Sequence, residues 1–260
     1  MEKESGNKVL LCYGGGSIKK AGIYDEAVKI LKEEDIEIFE LSGIAPNPKI
    51  ESVREGVKLC KENDIDMVLA IGGGSVIDCA KVVAAGSCYD GDPWDLVITP
   101  RWIKKALPIY SVLTLSATGS EMDPFAVISD MSKNEKWGTA SEHMKPKMSI
   151  LDPEYTYSVS KKQTAAGTAD MISHICENYF TNVKNADVQA RFAEGLLKNC
   201  FKYGPIALEE PDNYDARANL MWTASMAING ILSDGAEVSW CVHPMEHELS
   251  AFYDITHGEG

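Results

Sequence analysis

The chain has 260 residues and no apolar run that approaches the roughly 20 a membrane helix needs. Its first residues, MEKESGNK, are charged and lack an apolar core, so they do not read as a secretory signal. An excess of positive charge is also missing. Lys and Arg number 25 against 39 Asp and Glu, a formal charge of −14. That balance repels nucleic acid and anionic membranes and suits a protein that acts on small molecules. The seven cysteines (12, 60, 79, 88, 176, 200 and 241) are scattered and form no CxxC pair. This speaks against a disulfide framework and a thiolate zinc site, and leaves reduced thiols in the cytoplasm as the expectation. Neither GxGxxG nor HExxH occurs, so the common dinucleotide fingerprint and the metalloprotease motif are absent.

Histidine is scarce, five in all, and four of the five lie in the last third of the chain. Asp170 and His174 are four apart in TADMISHICENYF, so on a helix they share a face. His243 and His257 bracket HPMEHELSAFYDITH, and His247 follows His243 by four, so either or both of that pair can face the same point. One Asp with three His suits Fe²⁺ or Zn²⁺ and leaves room for a substrate oxygen. Such a site polarises a carbonyl, whose carbon can then take up hydride. A nearby imidazole can supply the proton. His143 stands alone in a loop and is left out.

The first half alternates strand and helix patterns. Lys8–Tyr13, Ile36–Leu41, Met67–Ile71, Pro108–Thr114 and Lys147–Leu151 read as strands. Tyr24–Glu33, Lys49–Glu62 and Ser75–Ala85 read as helices. This alternation predicts βαβ units around a parallel sheet. Trp94-Asp95-Leu96 and Asp130–Trp137 read as surface loops or a hairpin. Beyond Pro153 the texture becomes helical, with helices expected over Ser160–Phe180, Ala186–Lys202, Tyr214–Leu232 and Ser239–Phe252. The expected division is a dinucleotide-binding α/β domain over 1–154 and a helical metal-binding domain over 155–260. The chain stops at THGEG, close after His257, and reads as a fragment.

Gly72, Gly73, Gly74 and Ser75 follow a strand and open a helix. Glycine lets the backbone approach a phosphate, which the helix N-terminus then holds. Ser75 with Asp78 as a variant capping box is the competing reading, and Asp78 can serve either. An earlier turn, Gly14, Gly15, Gly16 and Ser17, offers no carboxylate for an adenosine ribose and has Lys19 and Lys20 nearby, so NADP is tolerated and slightly favoured over NAD. Thr114, Thr118 and Ser120 lie in LTLSATGSE, a hydroxyl-rich segment that can bind a cofactor or cap a helix.

Together these segments resemble the iron-containing (group III) alcohol dehydrogenases, in the branch of butanol dehydrogenases and broad-specificity aldehyde reductases. The resemblance rests on YGGGSIKKAGIYDE, GIAPNPKIESVREGV, AIGGGSVIDCAKVVAAG, LTLSATGSEMDPFAVIS, SILDPEYTYSV, AAGTADMISHICENYF and HPMEHELSAFYDITHGEG, which span nearly the whole chain in family order. It implies a dinucleotide-binding α/β domain followed by an all-α domain, the dehydroquinate synthase-like fold, with C-terminal helices beyond HGEG missing here. It implies Asp170, His174, His243 and His257 as metal ligands and His247 as the proton-relay residue. Gly72, Gly73, Gly74, Ser75, Thr114, Thr118 and Ser120 would hold the cofactor, with Lys136 reaching a ribose; the two glycine turns, read by themselves, add Gly14, Gly15, Ser17 and Asp78 as cofactor candidates. The implied activity is hydride transfer between NADP(H) or NAD(H) and an aldehyde or primary alcohol such as butyraldehyde or butanol, in a homodimer. Asp123 departs from the Asn this branch usually carries after its SEM motif, which bears on cofactor preference. Two alternatives remain: a truncated, non-catalytic chain that keeps cofactor or metal binding, and a dehydroquinate synthase-like lyase.

Overall fold

KVLLCY buries five of its six residues, as a strand covered on both faces must. In a computed structural model, which describes residues 7–181, 183–236, 238 and 240–260, it forms β1 (Lys8–Tyr13). The short α1 (Ser17–Lys20) and α2 (Ile23–Glu33) lead to β2 (Glu37–Leu41). Next come α3 (Ile50–Asn63), β3 (Met67–Gly72) and α4 (Gly74–Gly86). Then α5 (Pro93–Ile98), β4 (Ile109–Leu113), the hairpin strands β5 (Phe125–Asp130) and β6 (Glu135–Ala140), and β7 (Met148–Ile150) follow. The sheet order is β2-β1-β3-β4-β7. β1 runs parallel to both β2 and β3, and β7 runs parallel to β4. The chain thus leaves β1 for β2 on one side and returns past it to β3 on the other. In open α/β sheets such a reversal creates a crevice at the carboxyl ends of the strands, where ligands bind. Both glycine turns, 14–16 and 72–74, lie at that end of β1 and β3.

Helix α4 is apolar on nearly every side and almost wholly buried, as an internal helix should be. Its one lysine, Lys81, is fully buried and donates from Nζ to the carbonyl of Phe125 at 2.6 Å. Trp94-Asp95-Leu96, expected at the surface, instead lies in α5 with Trp94 and Leu96 buried. Asp92 caps this helix by accepting from the Trp94 amide at 2.8 Å, and Pro93 sits in its first turn. The segment Asp130–Trp137 forms the hairpin turn and the start of β6.

The helical part comprises α6 (Lys161–Tyr179), α7 (Asp187–Glu209), α8 (Tyr214–Ile228) and α9 (Val242–Tyr253). Ser160 caps α6 by accepting from the Gln163 amide at 3.2 Å, and Asn213 caps α8 through the Ala216 amide at 3.0 Å. Met171 and Ile175 of α6, Ala193 and Cys200 of α7, and Leu220 and Ala224 of α8 share one core. Helix α7 continues past the expected stop at Lys202 and carries Pro205 inside it. Helix α8 ends at Ile228 rather than Leu232, close before Gly230 at φ +103°. The expected start of the last helix, Ser239, lies outside the described residues, as does most of the charged N-terminal segment.

The chain divides into two compact units, Met1–Val112 with Pro124–Ile150, and Leu113–Asp123 with Leu151–Gly260. The hydroxyl-rich segment after β4 therefore belongs with the helices. Among the described residues, no helix is long and apolar enough to cross a membrane.

Candidate functional site

Within the helical unit, Asp170 and His174 lie one turn apart on α6, both buried. His243 enters from the first turn of α9, and His257 from a single 3₁₀ turn, His257–Glu259, that follows it. One potential ligand atom from each of these four residues lies within 4.8 Å of the other three. Oδ1 of Asp170 is 3.7 Å from Nε2 of His174, 3.6 Å from Nε2 of His243 and 3.6 Å from Nε2 of His257. These separations are too long for hydrogen bonds. They match the edge of a tetrahedron whose ligands sit about 2.0–2.2 Å from a shared centre, roughly 3.4 Å. Nε2 of His243 is buried and has no hydrogen-bond partner. A buried polar atom left this way is costly unless something takes up its lone pair. The donor set and its spacing therefore fit one divalent metal.

The electrostatics agree with that use. Burial tends to raise the Asp170 carboxyl, but the imidazoles of His174, His257 and His243 outweigh it and hold it well below the usual carboxylate range. Burial pushes His174 down to about 4, against the pull of Asp170, so this ring is neutral at neutral pH, the form in which an imidazole can take a metal. Burial also lowers His243, yet the carboxylates of Asp170 and Glu177 on its two sides leave it raised overall. Thiolates do not compete from the interior, since burial pushes Cys60 up to about 11 and both Cys79 and Cys200 up to about 12.

Two carboxylates that sequence reasoning missed complete the arrangement. Glu177 accepts from Nδ1 of His243 and from the Val242 amide, the latter at 2.8 Å. Glu246 accepts from Nδ1 of His257 at 2.5 Å. A signal was available: Glu177 follows His174 by three, and Glu246 follows His243 by three, each on the face of its helix that carries a histidine of the four-residue group. His247 stands apart from the four-residue group, its ring centre 6.4 Å from that of His243 and 5.5 Å from that of His257. The turn that carries His257 lies against α6 so tightly that a Cβ on Gly258 would sit 2.4 Å from the carbonyl oxygen of Ala166.

In the α/β unit, no side chain caps the N-terminus of α4 at Gly73. The competing capping-box reading does not hold at Ser75, since the cap position of α4 is Gly73; Asp78 Oδ2 accepts from the Val127 amide at 2.9 Å and ties α4 to β5. With no side chain capping it at Gly73, the start of α4 offers its amides to an anionic group. Around Gly14–Ser17 the expectation of no nearby carboxylate is corrected. Glu40 of β2 accepts from the hydroxyls of Tyr13 at 2.5 Å and Tyr24 at 2.6 Å, and these bonds lower its pKa. Nζ of Lys19 lies over the same two rings, 4.9 and 4.3 Å from their centres. Lys136, which reads in sequence as a surface lysine, is buried in β6, where Nζ donates to Oδ1 of Asn47 at 3.1 Å.

In the helical unit, Thr118 Oγ1 accepts from the Ser120 amide at 3.2 Å, inside a turn rather than at the start of an α-helix. Ser120 and Asp123 are buried, and Glu121 accepts from the Ser225 hydroxyl of α8 at 2.5 Å. Thr114 lies just after β4 and is half-buried.

Residues 1–153 match the model of the iron-containing alcohol dehydrogenases, and 164–260 match that of the Fe-containing alcohol dehydrogenase family, C-terminal. The chain is 61% identical over 258 residues to NADH-dependent butanol dehydrogenase A of Clostridium acetobutylicum, covering 99% of this chain and 66% of that protein. It is 43% identical over 255 residues to the NADPH-dependent aldehyde reductase YqhD of Escherichia coli, covering 97% of this chain and 65% of that one. The crystal structure of NADH-dependent butanol dehydrogenase A from Thermotoga maritima superposes with a TM-score of 0.95 at 47% identity, over 97% of this chain and 64% of that one. The chain thus spans about two thirds of the length of the relatives it matches, 66% of the first. With two matched models, a parallel sheet and an Asp-plus-three-His centre, the chain belongs to the iron-containing alcohol dehydrogenase family.

Proposed function

We propose that the protein is a metal-dependent oxidoreductase that moves hydride between NAD(P)H and an aldehyde or primary alcohol, with butyraldehyde and butanol as the first pair to test. The observation that carries this reading is the convergence of Asp170, His174, His243 and His257, with Oδ1 of Asp170 3.6–3.7 Å from three Nε2 atoms. These four residues hold one Fe²⁺ or Zn²⁺ ion, which when bound supplies Lewis-acid polarisation of the substrate oxygen. Asp170 offsets part of the charge, and each of the three imidazoles offers an Nε2 lone pair. His247, beside the ligands but outside the four, holds and moves the proton that alcohol formation requires.

Gly72, Gly73, Gly74 and Ser75 take the pyrophosphate at the start of α4. Gly14, Gly15 and Ser17 border the same crevice, Thr114, Thr118 and Ser120 supply hydroxyls, and Lys136 contacts a ribose. Asp78 acts indirectly, through its bond to the Val127 amide. The Glu40 carboxylate and the NADH-dependent relative at 61% identity favour NADH as the first cofactor to test, with NADPH beside it. A cytoplasmic homodimer, with a nucleotide-binding domain over 1–154 and a metal-binding domain over 155–260, completes the reading.

Purified chain loaded anaerobically with Fe²⁺, and separately with Zn²⁺, should oxidise NADH or NADPH on addition of butyraldehyde, followed by loss of absorbance at the nicotinamide band. A second reading, metal and cofactor binding without turnover, draws on the apolar flank of α9. Val242, Met245, Leu249 and Phe252 are 46, 61, 45 and 65% exposed. Binding of both ligands with no oxidation under either metal would favour this second reading and defeat the first.

A further inference from the structure

Glu246 is a buried carboxylate, 5% exposed, between two histidines of the site. On α9 it shares the buried side with Ser250. Its Oε2 accepts from Nδ1 of His257 and lies 4.0 Å from Nε2 of His247. Its Oε1 accepts from the Ser250 hydroxyl, which is also 3.1 Å from the carbonyl of Ile255. One carboxylate, fixed by a hydroxyl one turn along its own helix, thus meets a ring nitrogen on a separate turn of chain. Between the two, Asp254 leaves α9 at φ +49° and the backbone reverses.

We propose that Glu246 is the positioning residue that makes His257 a metal ligand, an inference that rests on the metal-centre reading above. A neutral imidazole has one donor and one acceptor nitrogen. By accepting from Nδ1, Glu246 fixes the proton there and leaves the Nε2 lone pair facing Asp170, 3.6 Å away. It also sets the rotation of the ring. The close approach of Gly258 to Ala166 holds the backbone of the turn but not the plane of the imidazole. Carboxylates that orient metal-bound histidines in this way typically account for about 10–100-fold in metal affinity. The spacing of Glu246, His247 and His257 also allows Glu246 to be a ligand in its own right, and this alternative predicts a different outcome.

The test is Co²⁺ affinity of the 260-residue chain, measured against a competing chelator, with the visible Co²⁺ spectrum recorded alongside. Glu246→Ala should weaken binding by about 10–100-fold and reduce the intensity of the bands that report tetrahedral coordination. Glu246→Gln keeps an oxygen acceptor for Nδ1 and should stay within about threefold of wild type. In a His257→Ala background, Glu246→Ala should add no further loss, because the carboxylate acts through that ring. Wild-type binding with an unchanged Glu246→Ala affinity would overturn the inference alone. So would a Gln variant as weak as the Ala variant, which would make the carboxylate a direct ligand, or losses that add in the double variant. Failure of the wild type to bind Co²⁺ would instead overturn the metal centre itself.

Discussion

Asp170→Asn should abolish stoichiometric Fe²⁺ or Zn²⁺ binding at micromolar metal while leaving the helical secondary structure in place. The side chain is the only anionic member of the four-residue group, and the same oxygen faces all three Nε2 atoms. A four-ligand protein zinc site contributes about 10–16 kcal/mol, so one ligand is worth roughly 3 kcal/mol, or more than about a hundredfold in affinity. The real loss should exceed that share, since the only anion that faces the metal directly is gone and the Glu177 and Glu246 carboxylates act only through the rings of His243 and His257. Asn is nearly isosteric, so the α6 backbone has no packing reason to move. Metal content after gel filtration, read against circular dichroism, checks both halves. Retention of one metal per chain in the Asn variant would remove Asp170 from the shell.

Gly119→Ala should cost about 2–4 kcal/mol of stability in the metal-free protein, from two causes that add. Gly119 has φ +69°, a region that costs a residue with a Cβ about 1 kcal/mol. A Cβ there would also lie 2.5 Å from Cγ2 of Ile228 and 2.6 Å from the carbonyl oxygen of Ala224. The backbone oxygen cannot turn aside as a side chain would, and overpacking of this kind costs about 1–3 kcal/mol. In a chain of this size the sum should lower the melting temperature by about 5–15 °C. The matched control is Gly195→Ala in α7, where nothing lies within 4 Å of a Cβ. Ala is the better helix former by up to about 1 kcal/mol, so this change should leave stability unaltered or raise it. Equal effects of the two substitutions in thermal unfolding would show that α8 does not press on the 113–123 segment.

The parts of this protein legible in its sequence are those whose cause is local. KVLLCY and MVLAI announce buried strands by composition, and the glycines after each mark where the chain must turn. Asp170 and His174 declare a shared face through their spacing alone. What stayed hidden depends on partners far along the chain. Glu177 reads as an ordinary helical acid until His243, 66 residues on, brings a ring nitrogen to it. Lys136 reads as solvated until Asn47, 89 residues earlier, supplies an acceptor inside the fold. Glu40 belongs to a strand that reads as alternating and half-exposed, and only the pairing of β1 with β2 sets it beside Tyr13. The missed helix α5 is a different case. Asp92 and Pro93 are a local start signal, but the acids around them made the stretch look like a loop.

X-ray absorption at the metal edge of the Zn²⁺-loaded chain decides whether one carboxylate and three imidazoles hold the metal. The predicted spectrum shows nitrogen and oxygen neighbours only, at about 2.0–2.1 Å, with the outer-shell pattern of three imidazole rings. A sulfur neighbour at about 2.3 Å, which would bring in a cysteine such as the exposed Cys241, would contradict it. So would a shell with one imidazole or none.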